Sequence, residues 1–89
     1  MPKRSDGTSR SGKAGGDELA AIFGANFRNA RLKESLSQAE VSARTGIQQH
    51  YISEIENGIQ NPTLRTMVTL AQALGTEVQT LLKRPPGRR

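Results

Sequence analysis

The stretch Ser37 to Leu64, SQAEVSARTGIQQHYISEIENGIQNPTL, decides the fold of this chain, because it encodes two short helices joined by a glycine. Ser37 and Glu40 have the spacing of a capping box, in which each side chain satisfies a free backbone N–H of the other residue. Gly46 supplies the left-handed residue that ends a helix without a steric clash. The sequence therefore predicts a first short helix over Gln38 to Thr45.

The second helix of this stretch has one apolar and one polar face. Ile47, Ile52 and Ile55 recur at helical spacing and predict burial of one side. The opposite side carries hydrogen-bonding side chains, namely Gln49, His50, Ser53 and Glu54. A helix of this kind, predicted over Gln49 to Asn57, is suited to the major groove of double-stranded DNA, where base edges display donors and acceptors.

These residues resemble the Cro/CI-type (Xre family) helix-turn-helix domain over roughly Phe23 to Leu82. The resemblance is carried by Gln38, Gly46, Gln49, the run Ile52-Ser53-Glu54-Ile55-Glu56-Asn57-Gly58, and Asn61-Pro62-Thr63-Leu64. It implies an all-α fold, a compact lambda-repressor-like domain of five helices. It also implies base readout by Gln49 and phosphate contacts by Gln38 and Asn57.

Composition limits the class of protein. A chain of 89 residues suits one small domain, without room for a separate sensor domain. Hydrophobic residues make up 34% and no cysteine occurs, so we expect no disulfide and no thiolate metal site, which fits a reducing cytoplasm. The family resemblance implies a prokaryotic protein of the cytoplasm, associated with the nucleoid, with no metal and no cofactor. The longest apolar run, Leu19 to Ala25, is too short for a membrane span.

The formal net charge of +5 is concentrated at the two ends of the chain. Residues 1–16 carry +3 and residues 83–89 carry +4, whereas the body, residues 17–82, carries −2. We therefore expect a disordered basic N-terminal arm, one helical domain and a basic C-terminal tail. The two basic ends either neutralise DNA phosphates or serve only as solubilising segments.

Three further helices complete the predicted fold. Asp17 is the expected N-cap of a first helix that runs to about Glu34. Thr63 caps a fourth helix that ends at Gly75. A short fifth helix is expected from about Glu77 to Leu82.

Candidate base-contacting residues lie at the start and on the exposed face of the second motif helix. An amide such as Gln49 can bond bidentately to adenine, and a carboxylate such as Glu54 can accept from cytosine N4. Gln48 departs from the family pattern of a Ser or Thr cap, so we expect a weak helix start there. The predicted set is Gln48, Gln49, His50, Ser53 and Glu54.

Candidate phosphate-contacting residues lie at helix ends, where backbone N–H groups and the positive dipole end attract anions. Arg44 also suits the negative end of its own helix, which is an alternative reason for its presence. The predicted set is Gln38, Arg44, Asn57, Gly58 and Asn61. Ser42 and Thr45 replace the usual apolar residues of the family, and their hydroxyls can bond to helix carbonyls.

Two further groups are expected to support the site. The family resemblance pairs Arg31 with Glu56, which would hold the second motif helix to the first helix of the domain. The apolar residues Val78, Leu81 and Leu82 are the expected surface of a homodimer, or alternatively part of the core of the monomer.

The predicted function is that of a DNA-binding transcriptional regulator, a repressor or autoregulator that binds a pseudo-palindromic operator as a homodimer. The alternative is an antitoxin or another protein-interaction module whose main partner is a protein. An enzyme is not expected, because His50 is the only histidine and no cysteine is present.

Overall fold

The computed structural model describes residues 5–85, with side chains from residue 17 onward. All regular structure in this part of the chain is helical, as the sequence predicted. The five helices are α1 (Ser5–Lys33), α2 (Gln38–Thr45), α3 (Gln49–Glu56), α4 (Leu64–Ala73) and α5 (Val78–Leu81).

Helix α1 begins earlier than the sequence predicted. Its backbone is helical from Ser5, so Asp17 lies inside the helix and the interpretation of Asp17 as an N-cap is wrong. The expectation relied on the composition and charge of residues 1–16, yet a glycine costs only about 1 kcal/mol in a helix interior, and residues of this kind can still continue a helix. The division of the chain into arm, body and tail stays a prediction.

Helix α2 has the capping box that the sequence predicted. The Ser37 side chain accepts from the Glu40 backbone N–H at 2.9 Å, and the Glu40 carboxylate accepts from the Ser37 N–H at 2.7 Å. Gly46 ends the helix with φ of 79°, in the left-handed region. The hydroxyl of Thr45 bonds back to the Val41 carbonyl, as expected, whereas the hydroxyl of Ser42 bonds to the carbonyl of Ile47 in the turn.

Helices α3 and α4 also keep close to their predicted limits. Gln48 is the N-cap of α3 and makes no side-chain capping bond, and Asn57 is the C-cap rather than the last helical residue. Thr63 caps α4 by accepting from the N–H of Thr66 at 3.1 Å. Helix α4 ends at Ala73, two residues before Gly75, which has φ of 70°.

The core lies between α1 and the other four helices. Two stacked phenylalanines of α1, Phe23 and Phe27, have ring centroids 6.1 Å apart and are fully buried. They meet mostly aliphatic side chains of the other four helices. These are Val41, Ile52, Ile55, Leu70, Ala71 and Leu81.

Helices α1 and α3 approach each other closely at Gly24. This glycine is buried, and a Cβ at its position would overlap the carbonyl oxygen of Ile55 in α3. Only a residue without a side chain lets the two backbones meet there. Gly24 therefore fixes how deep α3 sits against α1.

Helix α5 belongs to the core of the protomer. Leu81 is only 3% exposed because the other helices bury its side chain, so of its two interpretations the structure supports the core of the monomer. Val78 and Leu82 are half-buried against the same core, and their part in pairing stays a prediction.

The end of the described chain is tied back to α1. The Asn26 side-chain amide donates to the carbonyls of Leu81, at 2.9 Å, and Lys83, at 2.8 Å. Arg84 pairs with Glu18 at 2.7 Å. Part of the basic C-terminal tail is thus held against α1, while residues 86–89 lie outside the described part.

The described part of the chain has neither a membrane-spanning helix nor a cluster of metal-binding side chains. No helix there is long and apolar enough to cross a membrane. No group of three or more His, Cys, Asp or Glu side chains is arranged there to hold a metal ion.

Candidate nucleic-acid interface

Helix α3 buries one face and exposes the other, as its sequence predicted. Ile52 and Ile55 are fully buried against the core. Gln48, Gln49 and His50 are exposed at the start of the helix. Ser53 and Glu54, one turn further along, are half-buried. The exposed end of α3 is therefore its N-terminal half.

Helix α2 contributes to the same surface. Gln38, the first residue of α2, lines a shallow depression together with Gln49, His50 and Ser53 of α3. The structure thus brings one predicted phosphate-contacting residue and three predicted base-contacting residues to one place. Gln38, Gln49 and Ser53 carry neutral hydrogen-bonding groups, and His50 carries an imidazole. Side chains of these types can contact base edges as well as phosphate oxygens.

A buried ion pair holds α3 to α1, at the two residues that the family resemblance paired. The Nε atom of Arg31 lies 2.6 Å from Oε2 of Glu56, and Nη2 lies 2.8 Å from Oε1. The two side chains are only 8% and 2% exposed. Hydrogen bonding to the Glu56 carboxylate raises the pKa of Arg31, so the guanidinium stays charged at any pH at which the protein folds.

The same carboxylate also holds Gln38. The Nε2 atom of Gln38 donates to Oε1 of Glu56 at 3.0 Å. Arg31 further donates to the carbonyl of Leu36, just before α2, at 2.8 Å. One buried network therefore fixes the start of α2 and the end of α3 relative to α1. The family resemblance implied the ion pair between Arg31 and Glu56 but not its extension to Gln38.

Glu54 makes contacts on both sides of its position. Oε2 lies 3.1 Å from Nε2 of His50, one turn earlier in α3. Oε1 accepts a 2.7 Å hydrogen bond from Nε2 of Gln60 in the loop after the helix. The carboxylate predicted to accept from cytosine therefore also holds the α3–α4 loop, and sequence reasoning missed Gln60.

The remaining candidate phosphate-contacting residues lie around this surface. Asn57, Gly58 and Asn61 are exposed on the α3–α4 loop. Arg44 is exposed at the end of α2, and its Nη1 atom lies 3.4 Å from the carbonyl of Ala73 at the end of α4. Arg44 thus interacts with the negative end of α4 in the unbound protein.

Sequence reasoning also missed Arg28. Its Nε atom lies 3.9 Å from Oε1 of Glu56, while its side chain is 57% exposed. Its position one turn before Arg31, on the same face of α1, is the sequence signal that could have indicated this contact with Glu56.

Comparison with known proteins agrees with this geometry. Residues 27–81 match the family model described as helix-turn-helix, so the chain belongs to the helix-turn-helix family. The chain matches this family, and the relatives it matches are named as regulators. It is therefore a DNA-binding transcriptional regulator.

Three relatives illustrate the similarity. The HTH-type transcriptional regulator y4dJ of Sinorhizobium fredii, itself uncharacterized, is 45% identical over 58 residues, which cover 65% of this chain and 75% of the relative. The hypothetical transcription factor NHTF from Neisseria has a similar structure, with a TM-score of 0.71, 31% identity, and coverage of 75% and 77%. The restriction-modification controller protein C.AhdI from Aeromonas hydrophila gives a TM-score of 0.67, 31% identity, and coverage of 70% and 94%.

Proposed function

We propose that the protein is a repressor or autoregulator that binds a pseudo-palindromic operator as a homodimer, with the N-terminal half of α3 in the major groove. The observation that carries this proposal is the division of α3, which buries Ile52 and Ile55 and exposes Gln49 and His50. The buried side fixes the helix to the body. The exposed side is then free to lie against base edges.

Base readout is assigned to the start of α3. Gln49 is exposed in the first turn of α3. When the N-terminal end of a recognition helix enters the major groove, side chains of this turn lie nearest to the base edges. Gln48 and His50 flank it, and Ser53 and Glu54 follow one turn later. Because His50 and Gln60 both contact the Glu54 carboxylate, Glu54 reaches a base only by sharing or releasing those contacts.

Phosphate contacts are assigned to the start of α2 and to the α3–α4 loop. Gln38 keeps one amide hydrogen and its carbonyl oxygen after donating to Glu56, so it can still bond to a phosphate or to a neighbouring side chain. Asn57, Gly58 and Asn61 are exposed beyond the other end of α3. Arg44 would provide a positive charge for a phosphate after its guanidinium gives up the contact with the Ala73 carbonyl.

A dimer is part of this proposal because one helix makes too few base contacts for a specific site. Each good bidentate contact discriminates by only about 1–3 kcal/mol. Two copies related by a two-fold axis would double these contacts on half-sites about one DNA turn apart. Such a regulator would act in the cytoplasm of a prokaryote, at the nucleoid.

The experiment that tests base readout is selection of bound duplexes from a random pool, repeated with Gln49→Ala. We expect the variant to lose about 5- to 150-fold in affinity for the selected site, the equivalent of about 1–3 kcal/mol, and to relax the preference at one base pair of each half-site. Gln72→Ala, which removes an exposed glutamine of α4, is the matched control and should change neither. An unchanged consensus and affinity in Gln49→Ala would remove the assignment.

Salt dependence separates this function from the alternative of a protein-interaction module. Binding through several phosphates should weaken steeply between roughly 50 and 200 mM salt, because each phosphate contact releases counterions. An apolar protein interface should change little over the same range. A salt-insensitive interaction, with no duplex recovered from the pool, would favour the antitoxin-like alternative.

A further inference from the structure

Gln60 lies in the α3–α4 loop and is bound to Glu54 at two points. Its side-chain Nε2 atom donates to Oε1 of the Glu54 carboxylate at 2.7 Å. Its backbone N–H donates to the Glu54 carbonyl at 3.4 Å, and the N–H of Ile59 donates to the same carbonyl at 2.9 Å. The loop therefore holds both the backbone and the side chain of Glu54.

The Glu54 carboxylate keeps room for a further donor. Its other oxygen, Oε2, lies 3.1 Å from Nε2 of His50, and the Glu54 side chain is 26% exposed. An ionised carboxylate has about four lone-pair positions, and Gln60 and His50 occupy one each. Glu54 can therefore accept a hydrogen bond from a base while Gln60 stays in place.

A glutamate that faces DNA without such a partner would turn away from it. Its flexible side chain loses rotamer freedom on ordering, and the negative phosphates repel its charge. The bond from Gln60 orders the carboxylate before DNA arrives, and its N–H dipole offsets part of the charge. His50 contributes less to this order, because its own side chain is 82% exposed and belongs to the base-contacting set.

We propose that Gln60 is a specificity-determining residue of the DNA-binding site, which positions the Glu54 carboxylate to accept from the N4 amino group of cytosine. The inference rests on the proposed function, which places Glu54 at the base edges. A fixed carboxylate favours cytosine, because thymine O4 and guanine O6 are acceptors that repel it. Adenine also has an amino group, but its N7 acceptor lies beside that group. Gln60 acts through Glu54 rather than by a base contact of its own.

The test begins with selection of bound duplexes by the wild type and by Glu54→Ala. The base pair at which Glu54→Ala relaxes the preference is the pair that Glu54 reads, and we expect a cytosine there. The wild type should favour cytosine over the other bases at this pair by about 5- to 150-fold, the range typical of one mismatched base pair.

Gln60→Met removes the side-chain hydrogen bond and keeps the length of the side chain. We expect its preference for cytosine at this pair to fall by about 2- to 10-fold, the factor that corresponds to releasing one ordered side chain. Preferences at the other base pairs should stay unchanged, whereas a loss of folding would weaken binding to all sequences equally. Gln72→Met, the same change at an exposed glutamine of α4, is the matched control and should keep the cytosine preference.

A double-mutant cycle shows whether Gln60 acts through Glu54. In the Glu54→Ala background, Gln60→Met should have no further effect at the same base pair. Gln60→Glu, which places a second carboxylate beside Glu54, should lower the cytosine preference at least as far as Gln60→Met does. An unchanged cytosine preference in either Gln60 variant, or a loss that persists without the Glu54 carboxylate, overturns the proposal.

A measurement without DNA keeps this inference separate from the proposed function. The side-chain amide resonances of Gln60 should shift between the wild type and Glu54→Ala, whereas those of the exposed Gln79 should not. Gln60 resonances that stay fixed overturn the positioning role whether or not DNA binds. If they shift and no duplex is recovered, the proposed function fails, and the specificity role of Gln60 fails with it.

Discussion

Glu56 connects three helices through one buried carboxylate. It accepts two hydrogen bonds from Arg31 of α1 and one from Gln38 of α2, while itself ending α3. In a buried site the two partners compensate each other's charge, so the loss of one leaves the other unpaired. The network therefore affects both stability and the position of a residue at the proposed interface.

We expect Arg31→Met to destabilise the protein by about 3–5 kcal/mol, because it leaves the Glu56 carboxylate buried without a compensating charge. Arg28→Met is the matched control: the same carboxylate is 3.9 Å away but Arg28 is 57% exposed, so we expect a loss of no more than about 1 kcal/mol. Urea unfolding of both variants measures the difference. Equal losses would show that burial of the pair is not what matters.

We expect Gly24→Ala to destabilise the protein by about 1–3 kcal/mol, because the added methyl group overlaps the backbone of α3 at Ile55. At an unobstructed helix position the same change would stabilise by about 0.5–1 kcal/mol, so the sign is diagnostic. Ala25→Gly, at the exposed neighbouring position, reports the helix propensity at this point of α1 and should cost about 1 kcal/mol. Stabilisation by Gly24→Ala in thermal or urea unfolding would contradict the close contact.

At the scale of elements, the sequence predicted those helix limits that local chemistry sets. The capping box of α2, the glycine after it and the Thr63 cap of α4 each act within a few residues, and the structure confirms all three. The start of α1 could not be predicted in this way. No breaker there was strong enough to override helix formation, and glycine only weakens a helix.

The polar face of α3 was likewise visible in the sequence, but its side-chain partners were not. Which atom Gln38 or Glu54 bonds to depends on how α2 and the α3–α4 loop pack on α3. The burial of Leu81 also depends on α5 folding against α1, and apolar spacing alone fits a core or an interface equally well.

Helix α2 should give the protein an acid-sensitive component of stability. Hydrogen bonds from the backbone and side chain of Ser37 lower the pKa of Glu40 below its ordinary value of 4.5. A lowered folded-state pKa means that this stabilisation is complete above the unfolded pKa and is lost as the pH falls through the folded one. We expect it to decline below about pH 4.5.

Glu40→Gln is the variant that isolates this effect, because glutamine still completes a capping box but does not titrate. As the pH falls below 5, we expect the free energy of unfolding to decrease less in the variant than in the wild type. Urea unfolding at a series of pH values measures this difference. The ion pair of Arg84 also lowers the pKa of Glu18, so part of the wild-type slope remains in the variant. Parallel slopes in the two proteins would contradict the assignment.

At the scale of the whole molecule, α1 is held to the C-terminal end of the chain by Asn26. We expect Asn26→Ala to cost about 1–3 kcal/mol, since two backbone carbonyls lose a hydrogen bond worth about 0.5–1.5 kcal/mol each. Asn29→Ala, at an exposed asparagine one turn later in α1, should stay within about 0.5 kcal/mol of the wild type. A similar loss in both variants, measured by thermal unfolding, would indicate a helix effect instead.

The bonds of Asn26 also bear on the order in which the protein can form during translation. They join residues 55 and 57 positions apart, and the ion pair of Arg84 joins residues 66 apart. Helix α1 is made well before Leu81, Lys83 and Arg84, so these three contacts cannot form until the later residues have left the ribosome. Docking of α5 on α1 is therefore a late event, and slower elongation lengthens the time for which the side of α1 that faces Leu81 is open to chaperones.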